Sequence, residues 1–308
     1  MDLDNRISLQ KLDVFCKVVE LGGVGKAAEA LFLSQPVVSA HLKSMQQRMG
    51  TDLFVRDGRG VRLTEAGDAV HLWALDVLRG RIELAKSLEG LGQGMAGSAS
   101  IAASMSAGNT LLPAPLVAFR KAYPAANLTL TIATVEAALD RLTSGWVDFA
   151  VVGTELAHDA RIFETRLLGR PRFTLLAAAS NTSIPSRIDR DQLAELEFVS
   201  PPAGLAIRQS QDAALASLGL SDRKVSIELG SAESIKYAVE QDLGVCLLWR
   251  TSLDHELARG TLREIEIVDA EIRDNLYFVQ RRDHKLTALQ TRLRASIIHS
   301  VGTQLDEA

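Results

Sequence analysis

Cysteine is nearly missing from this chain, since among 308 residues only Cys16 and Cys246 occur. They lie far apart, each in an apolar context, which excludes a disulfide framework or a cysteine metal knuckle and leaves two structural core thiols. Long apolar runs are lacking too. No stretch approaches the roughly 18 consecutive apolar residues that a membrane-spanning helix needs. The start Met1-Asp2-Leu3-Asp4 carries neither the basic nor the apolar region of a secretory signal, so a cytoplasmic address without a membrane partner is expected. Positive charge is not in excess either: the formal net charge is −4, which argues against a chain that coats nucleic acid indiscriminately. Reaction motifs are equally scarce. The six histidines show no H-x-x-x-H spacing, and neither G-x-S-x-G nor G-x-x-x-x-G-K occurs. No catalytic residue, no metal site and no cofactor is therefore expected.

What is present describes an ordinary globular chain, 47% hydrophobic and 23% charged, long enough for two or three lobes. Leu9, Leu12, Cys16 and Val19 recur at helical spacing after Ser8, a capping residue, and Gly22-Gly23 ends that helix. Val24, Ala27, Ala28 and Leu31 make a short second helix whose alanines allow close packing. A third helix starts at Ser34, with Pro36 in the first turn, where a missing N–H is tolerated. Val38, Leu42, Met45 and Met49 fix its buried stripe, so Pro36, Ala40, Lys43, Ser44 and Gln47 face outward, flanked by Val37 and Ser39. Such a small, polar face with one cation suits a major groove about 12 Å wide. Taken alone it equally suits a solvated helix face.

Beyond Gly50, Leu53-Phe54-Val55 and Val61-Arg62-Leu63 flank Arg56-Asp57-Gly58-Arg59-Gly60, which predicts a hairpin with a glycine turn. Arginines at its tip would meet phosphates or the minor groove. From Ser34 to Arg62 five cations stand against two carboxylates, a local basic patch within an acidic chain. Thr64 then caps a long helix with Leu75, Leu78, Ile82 and Ala85 on one stripe and Trp73 beside it. Pairing with a second copy is expected of it, and packing on its own domain is the alternative.

The matching residues Phe15, Ala27-Ala28, Ser34-Gln35-Pro36-Val37-Val38-Ser39, Gly50, Leu53-Phe54-Val55-Arg56 and Leu63-Thr64-Glu65-Ala66-Gly67 make this block resemble the winged helix-turn-helix of the LysR-type transcriptional regulators. The resemblance implies DNA contacts from Ser34, Gln35, Pro36, Val37, Ser39, Ala40 and Lys43, and from the hairpin's Arg56, Arg59 and Arg62. Departures are visible. Ala40 stands where the family usually has a large polar residue, Met45-Gln46 where it has Leu-Glu, and Gly23-Val24-Gly25-Lys26 where Ser-Phe-Thr-Arg is usual. A methyl contact to thymine is what Ala40 can offer.

Gly90, Gly92, Gly94 and Gly97 mark a hinge. After it, candidate strands at Ser100–Met105, Leu128–Val135, Phe149–Gly153, Phe173–Ala179, Glu197–Ser200, Val225–Leu229, Val245–Trp249, Leu262–Ile267 and Leu276–Gln280 alternate with helices such as Leu111–Tyr123, Glu136–Ser144, Ala206–Leu218 and Glu233–Gln241. This alternation predicts a mostly parallel sheet covered on both faces. Phe119-x-x-x-Tyr123-Pro124, Asp148-Phe149-Ala150-Val151 and Val239-x-x-x-Leu243-Gly244-Val245 resemble the family's effector domain, which is similar to periplasmic solute-binding proteins.

The fold class expected is therefore multi-domain α+β. It comprises an α-rich winged helix-turn-helix at 1–64, a linker and dimerisation helix at 65–92, and a two-lobed α/β effector domain at 93–308. Lobe I would comprise 98–168 and 270–308, and lobe II 169–269. Helix N-termini at strand ends favour anions, which nominates Ser104, Ser106, Thr134, Pro202, Gly204, Arg208, Ser231 and Glu233 for effector binding; each also reads as a plain cap. The resemblance implies double-stranded DNA, a small-molecule effector such as a carboxylic acid, a homo-oligomer built as a dimer of dimers, and RNA polymerase as a candidate partner. A cytoplasmic solute-binding protein or an enzyme on the same two-lobed fold is the alternative, one that leaves the first 92 residues unexplained.

Overall fold

The computed structural model describes residues 7–57, 60–89, 96–153 and 160–306. Two compact units emerge: Met1–Leu88 with the short Thr143–Trp146 stretch, and Glu89–Leu142 with Val147–Ala308. The hinge residues 90–95 and the hairpin residues 58–59 lie outside the described residues.

In the first unit three helices, α1 (Leu9–Leu21), α2 (Val24–Ala30) and α3 (Gln35–Met49), precede a hairpin, β1 (Phe54–Asp57) and β2 (Gly60–Leu63), and a 25-residue helix, α4 (Glu65–Glu89). Ser8 caps α1 through the N–H of Lys11, and Gly22 ends it at φ 67°. The α1 stripe differs from the sequence expectation. Leu12, Val14, Phe15 and Val18 are buried, while Leu9 is exposed and Cys16 and Val19 only pack at the margin. The helix is rotated because Phe15, the largest apolar side chain available, takes the core centre against Phe54 at 5.1 Å. On α3 the buried stripe is Val38, Leu42, Met45 and Met49, as periodicity predicts.

The hairpin strands pair antiparallel, with Val55 opposite Arg62 and Phe54 opposite Leu63. Gln46, one of the departures noted above, accepts the N–H of Leu53 and so ties α3 to the start of the wing. Thr64 caps α4: its hydroxyl accepts from the N–H of Gly67 and donates to the carbonyl of Asp52. The stripe of α4 that packs on its own unit is Ala66, Val70, Ala74, Val77 and Leu78. The stripe expected to pair with a second copy, Leu75, Leu78, Ile82 and Ala85, is a different one, and of its residues Leu78 also packs into this core. Leu72, Trp73, Leu84 and Leu88 remain exposed.

The second unit holds two five-stranded sheets. Sheet one, in order β4-β3-β5-β14-β6, uses β3 (Gly97–Ala103), β4 (Ala126–Ile132), β5 (Phe149–Gly153), β6 (Phe163–Gly169) and β14 (Leu276–Arg281). Helices α5 (Pro113–Ala122), α6 (Val135–Thr143) and α11 (Ala288–Asp306) accompany it. Sheet two centres on β7 (Arg172–Ala178), flanked by β11 (Cys246–Trp249) and β12 (Leu262–Ile267), with the short β8 (Arg187–Ile188) and β13 (Ile272–Arg273) at its margins. A parallel pair, β9 (Glu197–Ser200) and β10 (Lys224–Glu228), joins it through a bridge between Phe198 and Val245. Helices α7 (Arg190–Glu195), α8 (Ala206–Ser217), α9 (Ala232–Glu240) and α10 (Asp254–Arg259) complete this half.

The sheets are mixed rather than mostly parallel. Strand β14 runs antiparallel to β5 and β6, and β7 is antiparallel to β11, β12 and β13. The chain crosses between sheets twice, from β6 to β7 and from β13 to β14, and each return strand enters antiparallel. The second crossing brings Asp274 to the cleft described next.

Candidate functional site

Two separate sites follow from this architecture, one on α3 and one inside the second unit. On α3, Ser34, Gln35, Pro36, Val37, Ser39, Ala40, Lys43 and Gln47 are all exposed, with Val37 at 40% its only large apolar side chain. Burying Val38, Leu42, Met45 and Met49 leaves these residues on the opposite face. Ser34 occupies the N-cap position, yet its hydroxyl makes no capping bond. Pro36 carries no N–H and those of Val37 and Val38 bond the Ser34 carbonyl, so the Ser34 hydroxyl and the N–H of Gln35 are what the start of this 15-residue helix offers an anion such as a phosphate.

Gly25 on α2 supports this arrangement: a Cβ there would sit 3.2 Å from Gln35 Nε2, so the missing side chain makes room for Gln35 beside α2. Arg62 is exposed on β2. Arg56 lies in β1, and Arg59 lies outside the described residues. His41, a residue that sequence reasoning passed over, is half-buried on α3, its Nδ1 enclosed without a hydrogen-bond partner.

The second site is a cleft of about 290 Å³ in the second unit. Strand ends and loop starts converge on it: Ser104 and Ser106 after β3, Ile132 at the end of β4 and Thr134 after it, Gly153 at the end of β5, Trp249 at the end of β11, and Asp274 at the crossing into β14. Of the eight nominated effector residues, Ser104, Ser106, Thr134 and Ser231 line it. Pro202, Gly204, Arg208 and Glu233 do not, although their chain neighbours Pro201, Leu205, Ala206 and Ala232 do.

The reason in each case is a competing bond or the turn of the helix. The guanidinium of Arg208 is already engaged by Asp212 at 2.9 Å, Glu228 at 3.1 Å and the carbonyl of Pro201 at 3.1 Å. Glu233 pairs with Lys236 at 2.7 Å and is otherwise in solvent. Pro202 is half-buried and Gly204 exposed, both in the loop before α8. Behind Arg208, Arg223 is buried against Asp212 at 2.8 Å and over the ring of Phe198; burial lowers its pKa to about 10, opposed by Asp212.

The four cleft hydroxyls divide by their bonds. Thr134 accepts the N–H of Ala137, and Ser231 accepts that of Ser234, so both act as helix caps. Ser104 Oγ is buried without a hydrogen-bond partner, and Ser106 makes no capping bond to the π-helical turn Ala107–Leu111 that follows it. A buried hydroxyl left unsatisfied costs about 1 to 3 kcal/mol, and a ligand oxygen in the cleft would remove that cost. Leu205 caps α8 with no side-chain bond either, so the first turn of α8, through Ala206 and Ile207, opens into the cleft with free donors.

Most of the remaining wall is apolar, including Met105, Ile132, Val135, Ile235 and Leu248. Among the described residues no lysine, arginine or histidine lines it. Asp274, 5% exposed, is held by Ser210 Oγ at 3.0 Å, its neighbour's N–H at 2.9 Å and Trp249 Nε1 at 3.3 Å. Gly153 admits this contact, since a Cβ there would lie 3.2 Å from Asp274 Oδ2. The rule that ligands meet strand ends could have nominated Gly153 and Trp249 from sequence; nothing local marks Asp274.

Among the described residues no group of three His, Cys, Asp or Glu side chains is placed to hold a metal ion, and no helix is long and apolar enough to cross a membrane. Cys246 is fully buried on β11, where burial pushes its thiol far above the ordinary range. Cys16 is pushed up to about 12 by burial, with Asp13 and Glu20 adding to it.

Comparison with known proteins gives two matches along the chain. Residues 9–68 match the bacterial regulatory helix-turn-helix protein model of the lysR family, and residues 92–301 match the LysR substrate binding domain. A probable RuBisCO transcriptional regulator of Cyanidioschyzon merolae is 30% identical over 278 residues, 89% of this chain and 92% of that protein. Among solved structures, a full-length OxyR variant from Pseudomonas aeruginosa superposes with a TM-score of 0.66 at 21% identity, covering 96% of this chain and 98% of that one. Full-length CbnR complexed with its target DNA superposes at 0.57 and 19% identity, covering 96% and 99%.

Proposed function

The chain belongs to the LysR family of DNA-binding transcriptional regulators, and from that premise we propose how its two sites divide the work. Helix α3 enters a major groove with Ser34, Gln35, Pro36, Val37, Ser39, Ala40 and Lys43 toward the DNA, while Arg56, Arg59 and Arg62 of the hairpin meet the flanking backbone. The cleft takes a small effector. Its apolar wall and its lack of a cationic lining residue among those described suit a ligand with an apolar body and a single carboxylate, held by Ser104, Ser106 and the open first turn of α8. The enclosed, unpartnered Ser104 hydroxyl is the observation that carries this reading.

The active species is a homo-oligomer, a dimer of dimers on an imperfect palindrome, acting in the cytoplasm with RNA polymerase as a further partner. The cleft binds and does not catalyse. Pro202, Gly204, Arg208 and Glu233 stand next in the chain to lining residues rather than touching the ligand. An effector alters DNA binding only through its difference in affinity for two arrangements of the protein.

Gel shift on duplexes from upstream of its own and neighbouring genes tests the DNA half. Lys43→Ala is expected to weaken binding about uniformly across sequences and to lower the salt slope by roughly 1; unchanged affinity and slope would remove α3 from the groove. Thermal shift and Trp249 fluorescence with benzoate, hexanoate and similar monocarboxylates test the cleft. Ser104→Ala should weaken the best of them about tenfold. If no carboxylate raises Tm at any concentration, the carboxylate reading fails.

A further inference from the structure

Helix α2 ends in a Schellman turn: the N–H of Phe32 bonds the carbonyl of Glu29 at 3.2 Å, and that of Leu33 bonds the carbonyl of Ala28 at 2.9 Å. This turn needs a left-handed residue at position 32, and Phe32 has φ 54°. Elsewhere the same chain meets that need with suitable residues. Gly22, Gly50 and Gly260 end α1, α3 and α10 at φ 67° or 68°. The turn after α9 uses Asp242, whose carboxylate accepts a hydrogen bond from Asn181 at 2.7 Å. Phe32 has neither justification. A bulky residue at positive φ is strained, and its ring is 97% exposed, so it contributes nothing to the core that would offset the strain.

The position explains what the fold does not. Phe32 stands two residues before Ser34, and two residues span at most about 7 Å. Phe32 therefore stands, solvent-exposed, within one short step of the start of α3. We propose that Phe32 is a DNA-contacting residue, its ring packed on the deoxyribose of the strand that borders the groove entered by α3. This rests on the docking of α3 proposed above. Beside a helix N-terminus it is the sugar–phosphate backbone that comes within reach, and the carbon face of a deoxyribose is what an uncharged ring can pair with there.

Phe32→Asn tests it, because asparagine tolerates the left-handed turn. The variant is expected to raise Tm by about 2 to 4 °C while lowering affinity about tenfold, both for the duplex shifted in the gel assay and for one of unrelated sequence. The salt slope should stay unchanged, since no charge is lost. Phe32→Tyr should keep wild-type affinity. A higher Tm with unchanged affinity overturns the contact, and a loss confined to one sequence overturns the sugar as its target. Lys43→Ala run in parallel separates the two ideas: if it weakens binding and Phe32→Asn does not, only the Phe32 contact fails, and if neither does, the docking of α3 fails with it.

Discussion

Along α3 the polar groups turned outward are left open by the fold, whereas around the cleft most polar groups are already bonded to the protein. Ser34 stands at a helix start without capping it, and Ser39 and Lys43 project from an exposed face. In the cleft, Thr134 and Ser231 cap helices and Asp274 receives hydrogen bonds from Ser210, Trp249 and the Asn275 N–H, while the buried Ser104 hydroxyl is without a partner. A surface that reads a long polymer needs many weak, solvent-ready groups. An enclosed site for a small molecule needs few, fixed in place. The two regions should then differ in how they respond to an added atom, and that difference can be broken by experiment.

The largest effect is expected at Gly67, in the first turns of α4. A Cβ there would lie 2.1 Å from the carbonyl oxygen of Leu53 and 2.9 Å from Leu63 Cδ2. The clash is with backbone, so the helix must move off the wing. Gly67→Ala should destabilise the first unit by about 3 kcal/mol and abolish the gel shift, while carboxylate binding by the second unit persists. Retained DNA binding would show that the wing is not held by this contact.

Gly108 poses the same nominal overlap in the second unit with a different outcome. Its added Cβ would meet Ile132 Cδ1 at 2.1 Å, the far end of a flexible side chain that lines the cleft. Ile132 can rotate, so Gly108→Ala should cost only about 1 kcal/mol. The displaced Ile132 would then crowd the cleft and weaken whichever monocarboxylate binds best. Measured side by side, equal losses of stability at Gly67 and Gly108 would erase the contrast between a rigid wing and an adaptable cleft wall.

The same contrast explains what could be read from sequence. The α3 face was legible because one helix carries both the buried stripe and its exposed complement, so Val38, Leu42, Met45 and Met49 determine where Lys43 points. The α1 stripe was misassigned by a part-turn, because Leu9 and Cys16 fit the spacing as well as Phe15 and Val18 do, and only the partner ring of Phe54 decides between them. In the cleft, Ser104 and Thr134 were legible as residues at strand ends. Asp274 was not, because it reaches the wall through the crossing from β13 to β14, a consequence of topology with no local signal. Arg208 reads from sequence as an anion ligand, and nothing in its spacing shows that Asp212, Glu228 and the carbonyl of Pro201 already occupy its guanidinium.

The smallest effect sharpens the first unit alone. His71 on α4 lies edge-on to Phe15 at 6.1 Å. Burial lowers its pKa below the ordinary 6.5, opposed by Asp68. Above about pH 6.5 the ring is neutral in both folded and unfolded chains, and its contribution to stability is fully present. As the pH falls below that value the unfolded chain takes up a proton that the folded one resists, so stability declines until the folded ring also protonates. One group contributes at most about 1.4 kcal/mol per pH unit to that slope, and a half-buried ring less. Melting of the full chain from pH 7.5 to 5.5 should show the first unit losing Tm faster in the wild type than in His71→Gln, with the second unit's transition unaffected by the substitution. Parallel losses in both proteins would mean that the ring is solvated enough to titrate alike folded and unfolded, and that the packing of α4 on Phe15 is looser than the edge-on contact implies.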